Sequence, residues 1–162
     1  MSGWRKLPTA EETQAFGRAL GERLRGGDLV VLTGDLGAGK TTLTQGLAEG
    51  LGVRGPITSP TFVIARVHPS LVGGPSLVHV DAYRLGGGAE LDDLDLDADL
   101  DEAVTVVEWG AGLVEQLTED RLEVLLERSG TDDPGEQARR VGLRGVGLRW
   151  DDVMYLLQDP AL

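Results

Sequence analysis

The segment "DLVVLTGDLGAGKTTLTQGLAEGLG" (Asp28 to Gly52) constrains the fold more than any other part of the chain. An apolar run of strand length is followed by glycines at positions 34, 37 and 39, then by a lysine and two threonines that open a helical pattern. Three glycines so close together cost backbone entropy and pack nothing, so their presence needs a reason. Gly34, Gly39, Lys40 and Thr41 fit the spacing GxxxxGKS/T, the loop whose main-chain N–H groups cradle a phosphate. Glycines at Gly34, Gly37 and Gly39 would let successive amides turn inward around an anion, and the following helix would add its N-terminal dipole. Lys40 would reach the β and γ phosphates, and the Thr41 hydroxyl would bind magnesium. A glycine-rich turn that fits by chance is the competing explanation. The buried strand before it and the helix after it argue against that.

The rest of the chain supplies the layers around this unit. "WRKL" reads as a short strand, and "TAEETQAFGRALGERLR" as an amphipathic helix with Thr9 and Glu12 at capping-box spacing. "FVIARVH", "LVHVDAY" and "VTVVEW" read as strands, "GAGLVEQL" as a short helix, and "RLEVLLER" and "ARRVGLRGVG" as late strands. Strands alternating with helices predict an α/β layer architecture. The late strands lack clear helices between them, so an antiparallel edge is expected. The predicted fold is a single domain over 1–162 of the P-loop NTPase type, with a mixed, mainly parallel central sheet and flanking helices. Residues 153–162 are expected to form a loosely packed tail.

Composition narrows the function. The chain has 27 acidic residues against 15 Lys and Arg, a formal charge of −12. Nucleic-acid affinity rests largely on basic residues that neutralise phosphates, so an independent grip on RNA or DNA is not expected. The absence of cysteine removes disulfides, thiolate metal sites and thiol nucleophiles. No apolar run approaches the roughly 18 residues of a membrane span, and the N-terminal residues lack the apolar core of an export signal. A cytoplasmic protein is the expectation.

Two acidic residues end apolar strands. "LVHVDAYRL" delivers Asp81 in the manner of a Walker B strand, beside a magnesium ion. "VTVVEWG" delivers Glu108, a residue type rarely buried without a partner. One would hold magnesium directly or through water, and the other would orient the attacking water; the residues leave both assignments open. Each also has a plainer reading, Asp81 as a turn former and Glu108 as a rim glutamate paired with an arginine. "ITSPTF" places Ser59 and Thr61 on a loop that Pro60 stiffens, either a γ-phosphate-sensing switch or simply a turn. His79 reads as a packed, hydrogen-bonded core histidine rather than a general base. Trp109 reads as core, Arg84 as a structural ion-pair partner, and "LDDLDLDADLDEA" as a solvated face.

In this order and spacing, "GDLGAGKTT", "SPTF", "HVDAYRL" and "VEWG" resemble the TsaE family, bacterial ATPases of tRNA threonylcarbamoyladenosine synthesis. The resemblance runs from about Leu7 to Trp109 and more loosely to Gly147. It implies that Gly34, Asp35, Leu36, Gly37, Ala38, Gly39, Lys40, Thr41 and Thr42 wrap the phosphates of ATP, with Thr41 on Mg2+. It makes Glu108 the magnesium carboxylate, with Asp81 assisting hydrolysis or binding the metal's water shell. Ser59 and Thr61 would sense the γ-phosphate. The stretch from Thr9 to Thr13 would lie against the adenine, and the loop near Gly135 to Arg139 would close over it. The family often has a glycine where this chain reads Asp95, and "EWG" stands for the frequent "EWP"; both bear on local loop shape.

The resemblance further implies that hydrolysis does not make the modified base. The protein partners would be TsaB and TsaD, which transfer the threonylcarbamoyl group to tRNA, while the ATP cycle of this chain resets their assembly. Contact with tRNA would be indirect, through that complex, with no role for DNA or a membrane. Two other classes compete. A P-loop small-molecule kinase would add an acceptor pocket and an arginine-bearing lid, for which only "SGTDDPGEQARR" is a candidate. A GTP-dependent switch would carry an N/TKxD motif, and the only lysines are Lys6 and Lys40.

Overall fold

The computed structural model describes residues 4–34, 39–53, 55, 65–81, 102–108, 120–128, 138–147 and 150. Strand β1 (Trp4–Leu7) leads into helix α1 (Ala10–Gly21), strand β2 (Leu29–Thr33) and helix α2 (Lys40–Leu51). Strands β3 (Ala65–His68), β4 (Ser76–Asp81), β5 (Ala103–Glu108), β6 (Arg121–Arg128) and β7 (Arg139–Val146) follow. All lie in one sheet of order β1-β7-β6-β2-β5-β4-β3. The four central strands β6, β2, β5 and β4 run parallel, while β7 and β1 at one side and β3 at the other pair antiparallel. The expected mixed sheet is therefore present. Of the two late strands, β6 joins the parallel centre beside β2 and only β7 reverses.

Both helices pack on one face. Val30, Leu32, Leu77, Val104, Val106, Leu122, Val124 and Leu126 form one buried cluster with Phe16, Leu20, Leu43 and Leu47 from the helices. The alternate residues Leu29, Val31, Val78, Val80 and Val107 are equally buried on the opposite face. Burial on both faces is why these central strands read as continuous apolar runs instead of alternating ones.

The helices begin and end where their local chemistry dictates. Thr9 caps α1, its hydroxyl accepting the Glu12 N–H at 3.1 Å, and Glu11 and Glu12 place negative charge in the first turn. Gly52 ends α2 in the left-handed conformation at φ 76°.

Between the helices, glycine allows main-chain contact. Gly17 and Gly21 of α1 face α2, and Gly46 and Gly50 of α2 face α1, each pair spaced four residues apart along one helical ridge. A β-carbon on Gly46 would overlap the Gln14 carbonyl, 2.8 Å from its carbon, and one on Gly50 would sit 2.9 Å from the Glu22 nitrogen. Gly17 meets the Leu43 carbonyl and Gly21 that of Leu47 in the same way. Beside this seam Arg18 pairs with Glu49 at 2.8 Å, an exposed pair that adds little to stability.

Candidate functional site

The topology brings the candidate residues to one end of the sheet. Strands β2, β5 and β4 finish in register there: Leu32 lies beside Glu108, and Glu108 beside Asp81. Leu7 ends β1 opposite Arg139, the first residue of β7, so Thr9 and Arg139 occur at the same end. This is the carboxyl end of the parallel strands, where open α/β sheets bind ligands.

The two helix N-termini there differ chemically. That of α1 is satisfied by its own residues, as described above. That of α2 has Gly39 as its cap, at φ 99°, with no side-chain cap and no acidic residue in its first turn. A helix end of this kind offers its leading N–H groups and positive dipole to an anion. Lys40 adds a full positive charge, nearly buried, with Nζ donating to the Gly34 carbonyl at 2.8 Å. This contact ties the two ends of the glycine loop together. Thr41 and Thr42 follow, both partly exposed, and the Thr44 hydroxyl donates to the Lys40 carbonyl at 2.8 Å. Asp35, Leu36, Gly37 and Ala38 lie outside the described residues.

Two neighbours of Gly39 come from the segments Thr9 to Thr13 and Gly135 to Arg139. The methyl carbon Cγ2 of Thr13 and the side chain of Arg139 come within 3.8 Å of where a β-carbon on Gly39 would stand. The first turn of α1 and the start of β7 therefore both border the phosphate loop. Within the stretch from Thr9 to Thr13, the contact with Gly39 belongs to the buried Thr13. Arg139 is the last residue of the Gly135 to Arg139 loop that the resemblance sets over the base, and of that loop only Ala138 and Arg139 are among the described residues.

Glu108 is 4% exposed, at the end of β5 and on the helix face of the sheet. Among the described residues no arginine pairs with Glu108. Glu108 Oε2 instead lies 2.7 Å from His79 Nε2, and the histidine is fully buried. His79 is thus a packed, hydrogen-bonded residue, as its strand pattern suggested, but its partner is the candidate metal carboxylate. The available signal was the place of His79 two residues before the end of its apolar strand, as Val106 stands two before Glu108.

Asp81 is the register partner of Glu108 at the ends of β4 and β5. Among the described residues no group of three or more His, Cys, Asp or Glu could hold a metal alone. A magnesium ion here would thus take the rest of its shell from hydroxyl, water and substrate phosphate oxygens, as magnesium commonly does. Ser59, Thr61, Arg84 and Trp109 lie outside the described residues, as do Asp95, Gly135 and the 153–162 tail.

A central parallel strand, a lysine-bearing glycine loop and a helix with an open N-terminus define a protein of the P-loop fold. Residues 7–140 match the family model described as threonylcarbamoyl adenosine biosynthesis protein TsaE. The chain belongs to the TsaE family, and so to the biosynthesis of threonylcarbamoyladenosine in tRNA. It is 64% identical over 136 residues to the tRNA threonylcarbamoyladenosine biosynthesis protein TsaE of Streptomyces coelicolor, covering 83% of this chain and 91% of that one. The protein of the same name from Bacillus subtilis is 38% identical over 149 residues, 91% of this chain and 88% of that one. The crystal structure of Bacillus subtilis YdiB superposes with a TM-score of 0.74 at 32% identity, covering 96% of this chain and 93% of that one. No helix among the described residues is long and apolar enough to cross a membrane.

Proposed function

We propose that this chain is a magnesium-dependent ATPase whose slow hydrolysis cycle serves tRNA threonylcarbamoyladenosine formation by binding and resetting a TsaB–TsaD assembly. The observation that carries the ATPase reading is the contrast between the two helix N-termini. One is closed by its own threonine and glutamates, while the other is glycine-capped, has no side-chain cap among the described residues and carries an ammonium.

The loop amides from Gly34 to Thr42 and the α2 dipole would hold the phosphate chain, and Lys40 would stabilise charge on the β and γ phosphates. Thr41 and Glu108 would hold magnesium, with Asp81 ordering water beside it. Bound there, the ion would withdraw charge from the phosphate oxygens. Water attacks the γ-phosphorus, the bond from that phosphorus to the bridging oxygen of ADP breaks, and phosphate, ADP and a proton result. Catalysis of this kind is mainly positioning and fixed electrostatics. Thr13 and Arg139 border the loop where the nucleoside would extend, and Ser59 and Thr61 would sense the γ-phosphate. The charge of −12 supports a division of labour in which the partner complex grips the tRNA and this subunit does not.

The test is ATP turnover by the chain alone and with TsaB–TsaD and tRNA. Stimulated or gated turnover together with co-elution is expected. Unchanged turnover without co-elution would favour the kinase reading. In the same assay Glu108→Ala is expected to retain nucleotide binding and lose magnesium-dependent hydrolysis by at least about 100-fold, the scale of losing one major electrostatic group. Wild-type turnover would remove Glu108 from the site.

A further inference from the structure

We infer that His79 is a positioning residue for Glu108: it fixes, through Oε2, the orientation in which the carboxylate meets a divalent cation. The inference rests on the reading of Glu108 as the magnesium carboxylate.

A glutamate side chain has three rotatable bonds, so a strand-end glutamate is a poorly defined ligand unless something holds it. Here the holder is a fully buried ring on the neighbouring parallel strand. His79 is in register with Val106, and Glu108 stands two residues further on, so the ring reaches diagonally along the shared face to the carboxylate. Both residues sit on central strands of the sheet, a more exact support than a loop provides.

The chemistry of the donor matters as much as its place. An ionised carboxylate only accepts hydrogen bonds, so Nε2 must carry the proton in this contact. His79 Nδ1 has no hydrogen-bond partner among the described residues. An arginine or lysine at this place would pair with Glu108 and compete with the metal for its charge. The imidazole N–H orients the carboxylate through a single directed contact. Hydrogen bonds to metal ligands from surrounding groups act in this way, and their loss typically costs about 10–100-fold in metal affinity.

The deciding measurement is a magnesium titration of the protein–nucleotide complex, read by calorimetry, beside nucleotide affinity in EDTA. His79→Leu removes the donor at similar volume. It is expected to keep wild-type ATP affinity in EDTA and to need at least about 10-fold more magnesium. His79→Gln can place an amide N–H where Nε2 stood and is expected to recover most of the loss. A purely structural histidine would give a lower melting temperature with an unaltered magnesium midpoint in both variants. A Leu variant titrating like wild type, or a Gln variant as impaired as Leu, overturns the inference. Glu108→Ala separates the two layers. If it alone is impaired, only the role of His79 falls. If it too titrates like wild type, the metal reading of Glu108 falls and takes the inference with it. Should His79→Leu fail to fold, the 15N spectrum of histidine-labelled wild-type protein decides. An N–H at Nε2, whose resonance shifts when magnesium joins bound nucleotide, is expected; protonation at Nδ1 alone overturns it.

Discussion

Replacing Gly46 by alanine is expected to destabilise the protein by about 2 kcal/mol, although alanine is the better helix former. The propensity gain is about 1 kcal/mol. Against it stands a methyl group overlapping the Gln14 carbonyl, with the Arg18 nitrogen 3.1 Å away. Those atoms are main chain and have no rotamer by which to yield, so the helices must separate. Overpacking of this kind costs about 3 kcal/mol or more at a rigid site, and the clash outweighs the propensity. For a chain of this length the melting temperature should fall by about 4–8 °C. Gly74 is the matched control: a β-carbon there meets only the Ser70 hydroxyl at 3.9 Å. Gly74→Ala should change stability by less than about 0.5 kcal/mol. A Gly46→Ala protein as stable as wild type in thermal and urea unfolding would show that the seam between α1 and α2 is looser than described.

Lys40→Ala is expected to weaken ATP binding by at least about 100-fold while the protein remains folded. A hydrogen bond to a charged group contributes about 1.5–3 kcal/mol, and each 1.4 kcal/mol is about tenfold in affinity. The ammonium also holds the Gly34 carbonyl, so its removal loosens the loop as well as subtracting a charge. Both effects act in the same direction. Titration calorimetry with ATP and magnesium measures the result, and circular dichroism checks the fold. Undiminished affinity would contradict the assignment of the loop as the phosphate site.

What the sequence revealed, and what it did not, divides along a physical line. The Asp28 to Gly52 segment was legible because strand, loop and helix are each specified locally, by apolar run, glycine spacing and terminal glycine. Thr9 and Glu12 announced α1 in the same way. The ends of β4 and β5 were also readable, since an acid after an apolar run marks the strand's exit from the core. Pairings between distant segments were not. Nothing local says that β6 lies parallel to β2, since that neighbour is chosen by the assembled sheet. The tie between His79 and Glu108 crosses 29 positions and depends on a register that only the sheet defines. The glycines of the two helices were visible as letters, but single glycines in a helical pattern read as a local cost. Only the packed pair shows them as the places where two backbones meet.

The placement of β2 bears on how the molecule comes into being. This strand is early in the chain, yet both its neighbours, β5 and β6, are made much later. During synthesis it must wait for partners some 75 and 90 residues downstream, and closing such distant contacts carries an entropy cost that slows folding. The glycine turn gains its rigid frame only near the end of that process. A nascent or truncated chain lacking residues beyond about 120 would leave β2 unflanked on one side, so nucleotide capture should be a property of the finished molecule alone.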